Sequence, residues 1–360
     1  MTRVMSLLRH LGRGAMVVLV GGGVGFAVDR AEAQTDRYHL EIFESVPGVE
    51  SVFPTDMTAS GAIIGNAGTD PFDPLARPVA FGFGRRFELP RPTESLNFAL
   101  GVGSPALIVG TSSNQPVAWV RGRATLLRPA AGLPSGFAYD ANARGIIVGT
   151  VFNDLSGRQR PVVWRDADAP GFTLSGIDDS RHGVAFAINE RNQVAGIVEN
   201  AFGYAFIAAR WDDPMNEPIV VAPFAGGINS EALALNEHGD LAGRMSFEDF
   251  SVEAMLYIES TQETLGLGFL AGRYSVAHAL NDERQVVGAA NAGREAAHGF
   301  IWQSGVMTDL NDLVQTSSSP FDFIANAVAI DASGRVAVEV VVDTGLGRAS
   351  RIGRLVPVGQ

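Results

Sequence analysis

One short pattern closes seven times along this 360-residue chain, at Gly65, Gly110, Gly149, Gly196, Gly243, Gly288 and, with valine in the place of glycine, Val338. The intervals are 45, 39, 47, 47, 45 and 50 residues. A period of this size marks an array of equivalent supersecondary units, each too small to bury a core alone. It constrains the fold far more tightly than the chemistry, because architecture by itself names neither a ligand nor a reaction.

Aligned on the closing residue, the units share several columns. Two positions before it stand Ile63, Ile108, Ile147, Val194, Leu241, Val286 and Val336, all aliphatic. Eleven before it stand Ala99, Ala138, Ala185, Ala232, Ala277 and Ala327, with Pro54 as the exception. Between the apolar columns lies turn chemistry. Asn142, Asn189, Asn236, Asn281 and Asp331 open it, and Gly61, Gly145, Asn192, Gly239 and Gly334 follow at a position that tolerates positive φ. Such a pairing predicts a type I turn with a G1 bulge joining two antiparallel strands. Arg284 and Ala106 break the rule, so different turns are expected there. A third strand reads Pro78–Phe81, Pro116–Trp119, Pro161–Trp164, Ala254–Tyr257 and Phe300–Trp302, and its large aromatics are expected in the core. Trp211 falls near this column, in a strand of uncertain register spanning Tyr204 to Trp211. A fourth strand shows best at Val306–Leu310.

Four short strands repeated about every 45 residues are the signature of propeller blades. Helical repeats are excluded, because turn residues interrupt every seven or eight positions. The expected fold is therefore all-β, a seven-bladed β-propeller of four-stranded antiparallel blades. The seventh unit supplies only three strands before the chain ends. The alternating segment Tyr38–Val46 is expected to become its outer strand, joining the two ends of the chain and removing an exposed edge.

The combined pattern resembles the bacterial extracellular HAF-repeat family. It is carried by Ala277-His278-Ala279-Leu280-Asn281, Gln285-Val286-Val287-Gly288 and His298-Gly299-Phe300-Ile301-Trp302, with Tyr204-Ala205-Phe206 a second copy of the naming tripeptide. The resemblance covers most of residues 38–356. It implies a repeat architecture and export, and it implies no activity. The Trp-Asp signature of WD40 blades is absent.

The first stretch stands apart from the repeats. Arg3, Arg9 and Arg13 precede an apolar run from Gly14 to Val28, and Ala31-Glu32-Ala33 offers a small-x-small cleavage site. Residues 1–33 read as a secretory signal, and residues 34–360 as a single propeller domain. The apolar run is shorter than the ~20 residues that span a bilayer. A secreted or periplasmic protein is expected, with no membrane insertion after cleavage. There is no cysteine, hence no disulfide, thiolate nucleophile or Cys-ligated metal. A net charge of −12 argues against nucleic acid and anionic lipid as partners.

Chain direction sorts the loops onto two faces. Turns between strands one and two, or three and four, share the tight face. Loops between strands two and three, or between blades, share the other. The second set is long and dissimilar: 66–77, 151–160, 175–183, 222–231, 266–274 and 311–323. Variable loops on a rigid scaffold are the expected recognition surface. Its candidate ligand-binding residues are Asp178, Asp179, Arg181, His182, Arg273 and Tyr274, the first four in the densest polar cluster of the chain. No catalytic residue and no metal site is assigned. Calcium is the one cofactor left open, through Asp70, Asp73, Asp166, Asp168, Asp212 and Asp213, although none sits in a D-x-D-x-D-G loop. His278 and His298, expected on neighbouring strands of one blade, are expected to be structural rather than a metal pair. The function expected is that of a monomeric, non-catalytic binding or scaffold module for an extracellular protein or glycan. The alternative is an exported polysaccharide hydrolase or lyase with its site on the loop face, and no G-x-S-x-G motif supports a serine nucleophile.

Overall fold

The seven units fold as seven four-stranded antiparallel sheets. The computed structural model describes residues 37–359 apart from 83–84, 131, 154–157, 176–181, 201–202, 204, 225, 294–295 and 315–320. Ahead of them it describes one antiparallel pair, Val18–Val20 with Gly23–Gly25, within a separate N-terminal unit, Met1–Asp36. The rest of the stretch read as a secretory signal lies outside the described residues.

Strands are lettered a to d from the inner edge of each blade outward. The a–b hairpins are Ser51–Met57 with Ile63–Gly68, Asn97–Ser104 with Leu107–Ser112, Ser135–Ala141 with Ile147–Phe152, and Gly183–Ile188 with Val194–Glu199 in blades 1 to 4. In blades 5 to 7 they are Gly227–Leu235 with Leu241–Phe247, Ser275–Leu280 with Val286–Asn291, and Phe321–Ile330 with Val336–Asp343. Each a strand contacts the a strand of the next blade, and the seventh contacts the first, so the sheets close into a ring. Blade 5 begins at Gly227 and blade 7 at Phe321, so each inner strand takes in residues expected to be loop.

The closing glycine has a steric cause. It lies opposite the recurrent alanine, as in Ala138 with Gly149 and Ala277 with Gly288, and strand a carries one extra residue just after that alanine. This bulge brings a strand-a carbonyl against strand b. A Cβ on Gly110, Gly196 or Gly288 would stand 1.9 Å from the carbonyl oxygen of Phe98, Val184 or Val276. No side chain fits there. Blade 7 moves the vacancy one strand outward. Val338 pairs with Gly353 of strand c, where an added Cβ would lie 2.9 Å from Cγ2 of Val338.

The a–b turns follow the expected chemistry, with one correction. Arg284 makes the same turn as its counterparts, at φ 58°, with its N–H donating to the carbonyl of Asn281 at 3.0 Å. Its guanidinium holds it in that unfavourable conformation by donating to Asp240 Oδ2 of blade 5 at 2.8 Å. Ala106 does lie in a different turn, a two-residue link between the paired Ser104 and Leu107.

The turn asparagines also tie blade to blade. Asn142 Nδ2 donates to the carbonyl of Asn189 at 3.1 Å, Asn189 to Asn236 at 3.0 Å, Asn236 to Asn281 at 3.2 Å and Asn281 to Asp331 at 3.1 Å. A carboxylate has no proton to pass on. At Asp331 the ladder is therefore continued by Arg335, which is bonded to Asp331 and donates to the carbonyl of Ala59 in blade 1 at 2.8 Å. Blade 1 reaches blade 2 through Asn66, whose side chain both donates to and accepts from the backbone of Ala99 at 2.9 Å.

The cores lie between adjacent blades. Val109 and Ala118 of blade 2, for example, pack with Ala138, Ile147 and Trp164 of blade 3. Pairing with Val194 settles the register of Trp211, which stands in the same column as Trp119, Trp164 and Trp302. Trp119, Trp164 and Trp211 are fully buried, and each indole N–H donates to a carbonyl at the exit of the preceding blade: Pro90, Arg128 and Ser175. The ring closes as expected. Tyr38–Ile42 pairs with Arg348–Pro357 as strand d of blade 7. No helix among the described residues is long and apolar enough to cross a membrane.

Candidate functional site

The b–c and inter-blade loops present the most unusual side chain of the described surface. In blade 5, strand b turns into strand c through Glu248–Ser251. Phe250 sits at the apex at φ 63° and is 95% exposed. A bulky residue pays no such conformational penalty without compensation elsewhere, and here the phenyl ring buries nothing in its own fold. Asp249 supports the turn by accepting from the N–H and hydroxyl of Ser251, at 3.0 and 2.6 Å. These bonds, with Arg273 adding to them, hold the Asp249 carboxyl below the usual range.

The lead-in to blade 6 lies against this turn. Val252 N–H donates to the Arg273 carbonyl at 3.0 Å, and Val252 bridges to Tyr274. The Arg273 guanidinium pairs with Asp249, and the Tyr274 ring is 38% exposed. Phe250, Tyr274, Arg273 and Asp249 thus form one patch across blades 5 and 6. Other loops of the same face project apolar tips too: Leu346 of blade 7 is fully exposed and Phe72 of blade 1 is 86% exposed.

Arg273 and Tyr274 are therefore brought together with two residues that the sequence reading did not single out. Asp249 and Phe250 sit in a Glu-Asp-Phe-Ser run with no repeat partner, and that lack of periodicity is the only signal for them. Asp178, Asp179 and Arg181 lie outside the described residues. His182 stands at the start of blade 4, whereas this patch belongs to blades 5 and 6. Its N–H donates to Glu199 Oε2 at 2.8 Å, its Nδ1 accepts from Gln159 N–H at 3.4 Å, and its ring meets Phe206 edge-on.

Five of the six acidic residues considered for calcium, all but Asp168, have partners in or beside their own loops. Asp70, Asp73, Asp166 and Asp213 accept backbone N–H bonds from residues two or three places on, and Asp212 pairs with Arg210. Among the described residues, no three His, Asp or Glu side chains converge as a metal cluster. His298 binds Asp309 Oδ2 through Nδ1 at 2.6 Å, and strand b separates it from His278.

A second feature lies on the inner strands. Asp56 and Asp140 occupy a column filled elsewhere by Gly101, Ala187, Ala234, Ala279 and Ala329. Asp56 accepts from Met57 and Val102 N–H at 2.7 and 2.9 Å, and Asp140 from Ala141 and Ile188 N–H at 2.7 and 2.9 Å. Each therefore braces its blade to the next. Burial pushes Asp56 up to about 7; burial and then the charge of Asp56 push Asp140 well above the carboxylate range. Burial, with Arg244 adding to it, pushes His278 down to about 4.

The ring and its patch define a seven-bladed β-propeller with a decorated loop face. No protein family matches the chain, and no curated protein matches it. Solved structures do. The extracellular domain of BT4673 from B. thetaiotaomicron, described as a one-component system, superposes at TM-score 0.53 with 9% identity over 88% of this chain and 39% of that one. YCF48 bound to D1 peptide superposes at 0.52 with 10% identity, over 89% of this chain and 95% of that one. Puromycin hydrolase superposes at 0.52 with 16% identity, over 83% of this chain and 51% of that one. The chain thus spans well under two thirds of BT4673 and of the hydrolase. At these identities the likeness is one of fold.

Proposed function

We propose that this protein is an exported, non-catalytic binding module of the HAF-repeat type, and that it docks an extracellular protein on its loop face through Phe250, Tyr274 and Arg273. The observation that carries the reading is Phe250, held in a left-handed conformation with its ring in solvent beside an oriented Arg–Asp pair. Aromatic and arginine anchors of this kind dominate protein interfaces; the left-handed backbone of Phe250 closes the b–c turn, its N–H donating to the Phe247 carbonyl at 3.0 Å, but the turn does not need a phenyl ring there. YCF48, a propeller of comparable length, was solved with a peptide bound, which agrees with a peptide-recognising role for such a ring.

The hydrolase reading would draw on Asp56 and Asp140, two inner-strand acids whose carboxyls are both pushed up by burial. It ranks second because all four of their carboxyl oxygens already hold backbone N–H groups of the ring.

The test is co-purification with cross-linking from the exported protein fraction of the native host. It compares the full chain with Phe250→Ser/Tyr274→Ser on the loop face and Val306→Ser on the opposite one. Retention of one defined protein by wild type and Val306→Ser, and its loss from the double variant, is the expected result. Equal capture by all three, or release of the captured material by glycosidase treatment, overturns the assignment to a protein docked on this patch.

A further inference from the structure

The face opposite the loop patch carries a groove between blades 6 and 7 with a volume of about 490 Å³. That lies in the ~300–1,000 Å³ range of small-molecule sites. Ile301, Leu313 and Pro357 give it an apolar floor, and Gln285, Gln303, Thr308 and Ser333 line it with amides and hydroxyls. Leu313 and Pro357 are outside the repeat pattern. Pro357 pairs with Tyr38 in the closing strands, and Leu313, in the link between blades 6 and 7, accepts from the Arg37 N–H at 3.1 Å, so this groove is a product of the seam.

The same column in another blade shows what is unusual about it. Gln193 of blade 4 is the counterpart of Gln285. Its Oε1 accepts from Asn189 at 2.9 Å, and its Nε2 donates to the Asp212 carboxylate at 2.6 Å, so both ends are firmly used. Gln285 Oε1 likewise accepts from Asn281 at 2.7 Å, but among the described residues its Nε2 donates only to Gln303 Oε1, at 3.4 Å. That contact is at the outer limit of a hydrogen bond. Two facing amides therefore hold weakly used donors and acceptors toward the groove.

Charge narrows the ligand. Arg37 and Glu283 both line it, one of each sign, so no single-sign field selects an anion or a cation. By contrast, a groove of about 570 Å³ between blades 2 and 3 is lined by Arg121, Arg123, Arg144, Asp166 and Asp168. Amides and hydroxyls above an apolar floor, without dominant charge, match the faces of a pyranose ring, which presents hydroxyls at its rim and C–H groups on its faces.

We infer that the seam groove binds a neutral saccharide of one or two sugar units, bridged between Gln285, Gln303 and Thr308 over Ile301 and Leu313. The loop-face patch plays no part in this, so either reading stands without the other.

Isothermal titration of the full chain with cellobiose, maltose and N,N′-diacetylchitobiose, and with glycylglycine as a zwitterionic control, tests it. Saturable binding of one disaccharide tighter than about 10 mM is expected. Gln303→Leu and Thr308→Val, each checked for an unchanged melting curve, should weaken it about tenfold or more. Thr125→Val, in the blade 2–3 groove, should leave it unaltered. Absence of binding by all three sugars, binding indifferent to both groove variants, or binding of glycylglycine in their place each overturns the inference.

Discussion

The Arg354 guanidinium donates to Glu41 Oε2 from Nε at 2.9 Å and from Nη2 at 2.5 Å, joining residues 313 positions apart, while its Nη1 donates to the Gly61 carbonyl at 3.0 Å. One side chain of blade 7 thus holds both the N-terminal strand and the first turn of blade 1. Arg354→Leu should lower unfolding stability by about 2 kcal/mol and make the bond after Arg37 the first site of limited tryptic cleavage. Arg348→Leu, which breaks the more exposed pair with Asp322, should cost well under about 1 kcal/mol. Equal effects of the two in urea titrations would show that Arg354 does not clasp the ring.

The glycine column invites a paired substitution. Gly288→Ala places a methyl group 1.9 Å from the Val276 carbonyl oxygen, whereas Gly293→Ala meets nothing within 4 Å. The first should destabilise by about 3 kcal/mol and the second should be near neutral. Indistinguishable melting curves would mean that the bulge does not require glycine.

Phe250 sets stability against recognition. Glycine adopts φ 63° without the steric cost borne by phenylalanine, so Phe250→Gly should raise stability by about 1 kcal/mol. The same variant should lose the captured partner protein. A variant that is stabilised yet still retains the partner would show that the strain serves something else.

The inner-strand acids predict a pH profile. A carboxyl with a raised folded pKa binds its proton more tightly in the folded state. Its contribution is full below the ordinary value of 3.8 and is lost as pH rises through about 7 for Asp56. Asp140 is shifted in the same direction. His278 opposes them. Its depressed pKa means that stability is lost as pH falls from 6.5 through about 4. Alanine fills the Asp140 column in four other blades, so Asp140→Ala is sterically tolerated. Relative to wild type it should lose less stability as pH rises above the ordinary carboxylate value of 3.8. Parallel stability curves for the two proteins would refute the coupling.

Chelation tests the calcium reading. Asp70, Asp73, Asp166 and Asp213 already accept backbone N–H groups of their own loops. EDTA should therefore leave the melting temperature unchanged, and a fall restored by added calcium would reveal a bound ion.

The fold was legible because the repeat is written mostly in small residues, with Pro54 and Val338 as the exceptions. Glycine at Gly149 or Gly288 and alanine at Ala138 or Ala277 mark the bulge crossing, where sterics leave no choice, and the outer strand at Tyr38 was identifiable because the last unit lacked one. Arg284 was misread because its left-handed turn depends on Asp240, 44 residues away. The double use of the asparagines was hidden for a similar reason. Asn142 reads as a turn residue, and only the ring shows its side chain bonded to the next blade. Asp56 and Asp140 are single letters in an otherwise small column, and their burial and their bonds to the next blade exist only in the closed ring.

The sequence alone determined the number of blades, the inner hairpin of each and the way the ring is sealed, because local sterics and alternating burial repeat with the chain; the outer strands Phe172–Thr173, Ile219–Val221 and Glu263–Gly266 were not legible in it. Tertiary structure decided which polar groups came together: Arg273 and Tyr274 with Phe250, and Gln285 with Gln303 above the seam. Those juxtapositions depend on the distance between blades and on which carbonyls and amides the closed ring leaves unsatisfied. No period in a one-dimensional pattern records either.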